Sequence, residues 1–249
     1  MLNRPPLWIT AVAAVAVGLS ACTGGSGTTA TTLSATKAST SSTPTTPSTT
    51  VPTSGPRDVA ELKSALLELN DLPSGYAIEP AGAGGGTDGS ASSKDRACAP
   101  LVTLTNLKTA PGSKSSAKVR FSGGQDGPFV DESIDALGSA EAVAALQASL
   151  KSAVAACRQL TITIPGQGSS AMKVAEVSAP KFGDHPFAAR FTATGGPLAG
   201  LEITQVTAGV KDVVVSITFV AAIPEDVDGG TQAAVGKAKD VLGGTTAGA

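Results

Sequence analysis

Aromatic side chains are scarce in this 249-residue chain, at 3%, with a single Trp and a single Tyr. Bases or sugar rings would find few surfaces to stack on. Charge is thin as well: 18 Lys and Arg stand against 20 Asp and Glu, for a net charge of −2 and a pI near 5.4. No Lys/Arg cluster exists to neutralise a phosphate backbone, so nucleic acid is excluded as a partner. The only histidine is His185, in a segment that reads as a loop, where a lone imidazole is more often solvated or capping than catalytic. Cysteine is limited to three residues, Cys22, Cys98 and Cys157.

The apolar run Leu7 to Leu19, thirteen residues behind Arg4, is too short for a membrane-spanning helix and fits the n- and h-regions of a secretory signal. Leu19-Ser20-Ala21-Cys22 comes directly after it. Two small residues before a cysteine match a lipobox, and the arrangement resembles bacterial lipoproteins. Residues 1–21 are then a removable signal peptide, and Cys22 is the mature N-terminus, whose thiolate carries a diacylglycerol thioether. That anchor makes the membrane a partner and places the protein on the outer face of the plasma membrane. Ordinary signal cleavage or an uncleaved anchor is the alternative, and either keeps the domain outside the membrane.

Residues 22–56 form the next segment, the lipidated cysteine and then 34 residues of mainly Thr, Ser, Pro, Gly and Ala. Such a mixture buries too little apolar area to offset the entropy of ordering a backbone, so it reads as a tether. It reaches roughly 30 Å as a coil and about 100 Å if Pro and O-glycans stiffen it. Composition leaves glycosylated and unmodified forms equally open. Residues 57–249 then remain, enough for one domain with a sizeable core.

Apolar residues at Val59, Leu62, Leu66 and Leu69 predict a helix over Asp58 to Asn70, ended by Pro73 and Gly75. Tyr76 to Glu79 reads as a short extended piece, Ala81 to Ser92 as a Gly-rich loop, and Cys98 to Leu107 as a short helix with Pro100 in its first turn. Alternation predicts strands over Ala117 to Ser122 and Phe129 to Leu137, joined by a hairpin at Gly123 to Gly127. Ser139 caps a long helix whose buried stripe is Val143, Leu146, Leu150, Val154 and Cys157. Further strands are expected at Leu160 to Ile164, Met172 to Val177, Phe187 to Thr194, Leu201 to Thr207 and Val213 to Ala221, with a turn at Gly209 to Asp212. Pro224 reads as a break, and Thr231 to Leu242 as a closing helix with Ala234, Val235, Ala238 and Val241 inward. Short links between strands imply an α+β fold with an antiparallel sheet packed against helices.

With Cys22 given to lipid, Cys98 and Cys157 remain as an even pair in an oxidising compartment and are expected to form a disulfide. A redox-active or metal-binding pair is disfavoured, because the spacing is not C-x-x-C and the histidine lies elsewhere.

Lipobox, Thr/Ser/Pro tether, a helix ending in Leu66-Leu-Glu-Leu-Asn-Asp-Leu-Pro-Ser-Gly-Tyr76, one Cys before a short helix, another near the end of a long Ala-rich helix, and a Val-rich strand before a last helix occur here in that order. The arrangement resembles the actinobacterial sensor-domain lipoproteins, the PknH-like extracellular sensor domain family, over roughly residues 57–245. The resemblance implies an antiparallel sheet with helices bounding a cleft for an unidentified small-molecule or lipid ligand. Members commonly carry two disulfides, and this chain can make one.

No catalytic or cofactor motif survives inspection. Ser169 and Ser170 lack the flanking glycine of a nucleophile elbow. Gly84, Gly86 and Gly89 fit G-x-G-x-x-G only within a low-complexity loop. Asp226-Val-Asp228-Gly opens like a calcium loop but has Lys237 where the bidentate Glu belongs. The expected function is therefore a non-catalytic sensor-like or ligand-binding domain, with no cofactor and no metal; the alternative is an envelope accessory protein docking a membrane complex through a surface patch. Glu132, Arg190 and His185 are the candidate ligand-binding residues. Glu132 falls on the apolar Val130/Ile134 face, where a carboxylate is costly unless paired, or else a bulge or sheet edge turns it to solvent. Arg190 could pair with it only if their strands are neighbours.

Overall fold

A computed structural model describes residues 57–80 and 89–243, all within one unit of the chain, Pro52–Ala249. In order these residues form helix α1 (Val59–Ser64), strands β1 (Ala77–Ile78) and β2 (Ser90–Ser92), helix α2 (Ala99–Asn106), strands β3 (Ser115–Ser122) and β4 (Phe129–Ala136), and helix α3 (Ala140–Ala156). Strands β5 (Gln159–Ile164), β6 (Gly168–Val177), β7 (Asp184–Ala193), β8 (Glu202–Val210) and β9 (Val213–Val220) come next, and helix α4 (Pro224–Leu242) closes the series. The nine strands described make one antiparallel sheet ordered β1-β3-β4-β9-β8-β7-β6-β5-β2. The fold is α+β, as the short links between strands imply.

Side chains alternate across a sheet, so each strand feeds two cores. On the first face Phe121, Val130, Ile134, Ile217 and Phe219 pack under α1 and α4. On the second face Leu160, Met172, Val174, Phe187 and Phe191 pack under α2 and α3. Cys98 and Cys157 are bonded at 2.08 Å and clasp those two helices together. At the other end of the unit, Arg57 binds Asp212 at 2.8 Å and donates to the Leu242 carbonyl at 3.0 Å, which ties the start of the folded residues to the last turn of α4.

Cap chemistry explains α3. The Ser139 hydroxyl accepts from the Ala142 N–H at 3.2 Å and Glu141 occupies the first turn, while Val143, Leu146 and Val154 are buried. Helix α1 departs from expectation. It stops at Ser64, and Ala65, Leu66 and Leu67 bury in succession while Val59 and Leu69 stay exposed. Three consecutive buried residues do not fit one helical face, so the helix gives way to a turn and a short 3-10 segment, Leu69–Asp71.

Helix α4 begins at Pro224 rather than Thr231, because proline is suited to a first helical position, where its missing N–H is not needed. Val241 is exposed and Leu242 takes its inward place. Gly230 lies where a Cβ would meet Phe219 at 2.8 Å, so the glycine permits α4 to approach β9. Two further readings are corrected. Ser90–Ser92 is a strand, and residues 81–88 of the expected glycine loop, with Gly84 and Gly86, lie outside the described residues. Gly209 belongs to β8, and the turn is Lys211-Asp212, with Lys211 at φ 56°. Cys22 and the tether also fall outside the described residues.

Candidate functional site

The second face is not apolar throughout. Where β3, β4, β9 and β8 adjoin, its residues in register are Arg120, Asp131, Thr218 and Gln205, and in the next row Lys118, Ser133, Ser216 and Thr207. Polar residues in the middle of a sheet need a solvated space above them. That space is a cleft of about 910 Å³, lined by seven of these eight; Thr207 is buried instead.

Its wall comes from the end of α2. The Asn106 side chain accepts from the Ala91 N–H at 2.7 Å and donates to the Ala91 carbonyl at 2.8 Å, docking α2 on the free edge of β2. Four residues later the Ala110 N–H donates to Asp135 Oδ1 on β4 at 3.2 Å, and between them the Lys118 ammonium of β3 meets the Lys108 carbonyl. Strands β2 and β4 are six steps apart in the sheet, about 29 Å if it were flat, whereas four residues reach at most about 14 Å. The sheet is therefore curled around its second face. Residues 106–110 strap the edge strand β2 to β4 and β3 near the opposite edge, and the cleft is the hollow beneath.

One end of the cleft is polar and the other apolar. Ser116, Arg120, Asp131 and Ser133 form the first; Ile162, Phe191, Ile203 and Val220 form the second. Arg120 and Asp131 pair at 2.6 Å. Three residues that line the cleft, Glu79, Thr105 and Ser116, each carry a buried side-chain oxygen without a hydrogen-bond partner, Glu79 Oε2, Thr105 Oγ1 and Ser116 Oγ. At the mouth Ile78 and Leu107 are 55% and 47% exposed.

Of the residues singled out from sequence, none points into this hollow together with another. Glu132 is buried, 1% exposed, on the first face, between cleft residues Asp131 and Ser133 but turned away from them. No bulge or edge carries it outward. Its Oε2 accepts from the Leu67 N–H at 2.7 Å, where α1 breaks, and Oε1 has no partner. Burial pushes its carboxyl up to about 7, against the opposing pull of that N–H and of Lys237. Arg190 is not its partner, since β9 and β8 separate β4 from β7. It lies near Thr204 Oγ1 at 3.4 Å and Glu202 at 3.8 Å, again on the first face. His185 is exposed in the irregular start of β7, at φ 47°. The three do not share a site. Ser170 is buried and accepts from the Leu198 N–H at 3.0 Å, a structural role. Among the described residues no group of His, Cys, Asp or Glu is arranged to hold a metal ion, and no helix is long and apolar enough to cross a membrane.

Sequence reasoning misses the cleft residues themselves. Their signal lies in β9, where Ser216 and Thr218 interrupt an otherwise apolar central strand, with Ser133 and Asp131 on its neighbour.

The fold is that of the extracellular domain of PknH from Mycobacterium tuberculosis, at a TM-score of 0.55 and 14% identity, over 76% of this chain and 99% of that one. The Rv0999 ortholog from Mycobacterium smegmatis aligns with a TM-score of 0.38 and 12% identity, over 75% of this chain and 95% of the other, a likeness too loose to argue from. No family model matches the sequence, and no curated protein matches it.

Proposed function

We propose that this chain is a lipid-anchored lipoprotein whose domain, residues 57–249, is an extracytoplasmic sensor-like module that works by binding a small-molecule or lipid ligand rather than by catalysis. The observation that carries this reading is the strapped cleft, three of whose lining residues hold a buried oxygen without a partner. Leaving buried polar groups unmatched costs a protein about 1–3 kcal/mol each, and a ligand that matches them recovers part of that. A concave, largely apolar hollow with a few convergent polar groups is the usual form of a small-molecule site. Further support comes from the fold, shared with an extracellular domain, from the disulfide, which suits an oxidising compartment, and from the lipobox ending at Cys22.

The test is mass spectrometry on the full chain isolated from an actinobacterial envelope under mild conditions. The expected result is one small-molecule species near one per protein, together with a diacylglycerol-sized addition on Cys22 that Cys22→Ser abolishes. Folded protein with nothing bound above a denatured control would reject the binding module. The weight would then move to docking on an envelope protein through the apolar rim at Ile78 and Leu107.

A further inference from the structure

We infer that the cleft takes a neutral amphiphile, with a hydroxylated head of the sugar or polyol class and an aliphatic tail; this rests on the cleft being a ligand site. The two ends of the hollow require amphipathic character. A wholly polar molecule would strand its hydrogen-bonding groups against Ile162, Phe191, Ile203 and Val220, and a wholly apolar one would bury Asp131 and Arg120 without water.

Charge selects the head. Arg120 and Asp131 already neutralise each other at 2.6 Å, and the Lys118 ammonium is directed to the Lys108 carbonyl. An anionic head would approach Asp131 and Glu79; a cationic head would approach Lys108, Lys118 and Arg120. A neutral head meets neither repulsion.

Hydrogen bonding then narrows the class. Thr105 Oγ1 and Ser116 Oγ each can donate and accept, Glu79 Oε2 is a carboxyl oxygen, and all three lack partners. Ligand hydroxyls, which also do both, complement such a mixed set. Phe191 is the only aromatic side chain lining the cleft among the described residues, and it belongs to the apolar end. A bare sugar would have no ring to stack on, so the tail supplies the affinity.

Octyl β-D-glucoside below its micelle concentration, octyl phosphate, octyltrimethylammonium and glucose are titrated into the full chain carrying Cys22→Ser, with amide chemical shifts as the readout. The glucoside is expected to shift Gln205 and Thr218 at one end and Ile203 and Phe191 at the other. It should bind at least about tenfold more tightly than either charged amphiphile, and glucose should bind far more weakly. Thr105→Val and Ser116→Ala remove hydroxyls that hold nothing in the free protein. Each should weaken the glucoside about five- to tenfold while leaving the unfolding midpoint unchanged or raised. Tighter binding of a charged amphiphile overturns the neutral head but keeps the cleft as a site. Glucose binding as tightly as the glucoside overturns the tail. Unchanged affinity in both variants overturns recognition by those hydroxyls, and no shift at cleft residues with any probe overturns this inference, while the binding module beneath it stands or falls with the co-purified species.

Discussion

Glu132 is the residue whose local chemistry reaches furthest into the fold. Its carboxyl holds the Leu67 N–H at 2.7 Å just where α1 stops, so a backbone donor freed by the break is satisfied from a strand. Burial raises the group from an ordinary 4.5 to about 7. A carboxyl that binds its proton more tightly folded than unfolded favours the folded state fully below pH 4.5, and that contribution is lost as the pH rises through about 7. The loss is on the order of 3 kcal/mol. Glu132→Gln keeps an acceptor for Leu67 and cannot ionise. Urea unfolding from pH 4.5 to 8 should therefore show the parent losing stability against the variant across that window. Parallel curves would mean that the carboxylate finds solvation in the folded protein and that its pKa is not raised.

At the scale of elements, α4 shows how glycine can mislead. Pro224 reads as a break and Asp226-Val-Asp228-Gly as the opening of a loop, yet Pro224, Gly229 and Gly230 are all helical. Proline starts the helix, and Gly230 is required by contact: a Cβ there meets Phe219 at 2.8 and 3.0 Å, whereas at Gly229 and Gly236 it meets nothing within 4 Å. Gly229→Ala and Gly236→Ala should each stabilise by about 0.5–1 kcal/mol through helix propensity. Gly230→Ala should lose about 1–3 kcal/mol to overpacking, less that same gain. Thermal unfolding of the three variants checks the ordering, and a stabilised Gly230→Ala would show that α4 can back away from β9. Strands were more legible because period-two alternation survives in Val119-Phe121 and Val213 to Phe219. The cleft was not legible. Lys118, Arg120 and Asp131 look like any solvent-facing row of a half-buried sheet, and what makes them a wall is the curl of the sheet and the strap, which join residues far apart in sequence.

Across the whole molecule, the sheet divides two cores, and only one of them carries the disulfide. The first is held by α1 and α4 with Phe121, Ile217 and Phe219; the second joins α2 to α3 through Cys98 and Cys157, both fully buried. Closing a loop with a sequence separation of 59 contributes about 4 kcal/mol in the chain-entropy model, with 2–4 a realistic range. The double variant Cys98→Ala/Cys157→Ala should lose that much in global unfolding. It should also lose more than that in one place. Helix α2 has eight residues and one buried side chain, Leu101, so without the bond it is held mainly by the Asn106 clasp on β2. Helix α4 buries seven residues against the opposite face and is not held by the bond. Hydrogen exchange in the variant should then accelerate further at Leu101 to Leu107 than at Ala234 to Ala238, because α2 gains a local opening in addition to the global one. That opening would release the strap and with it the wall of the cleft. Equal acceleration in both helices would show that the two cores unfold as one, and that the disulfide supports the fold without specifically holding the site.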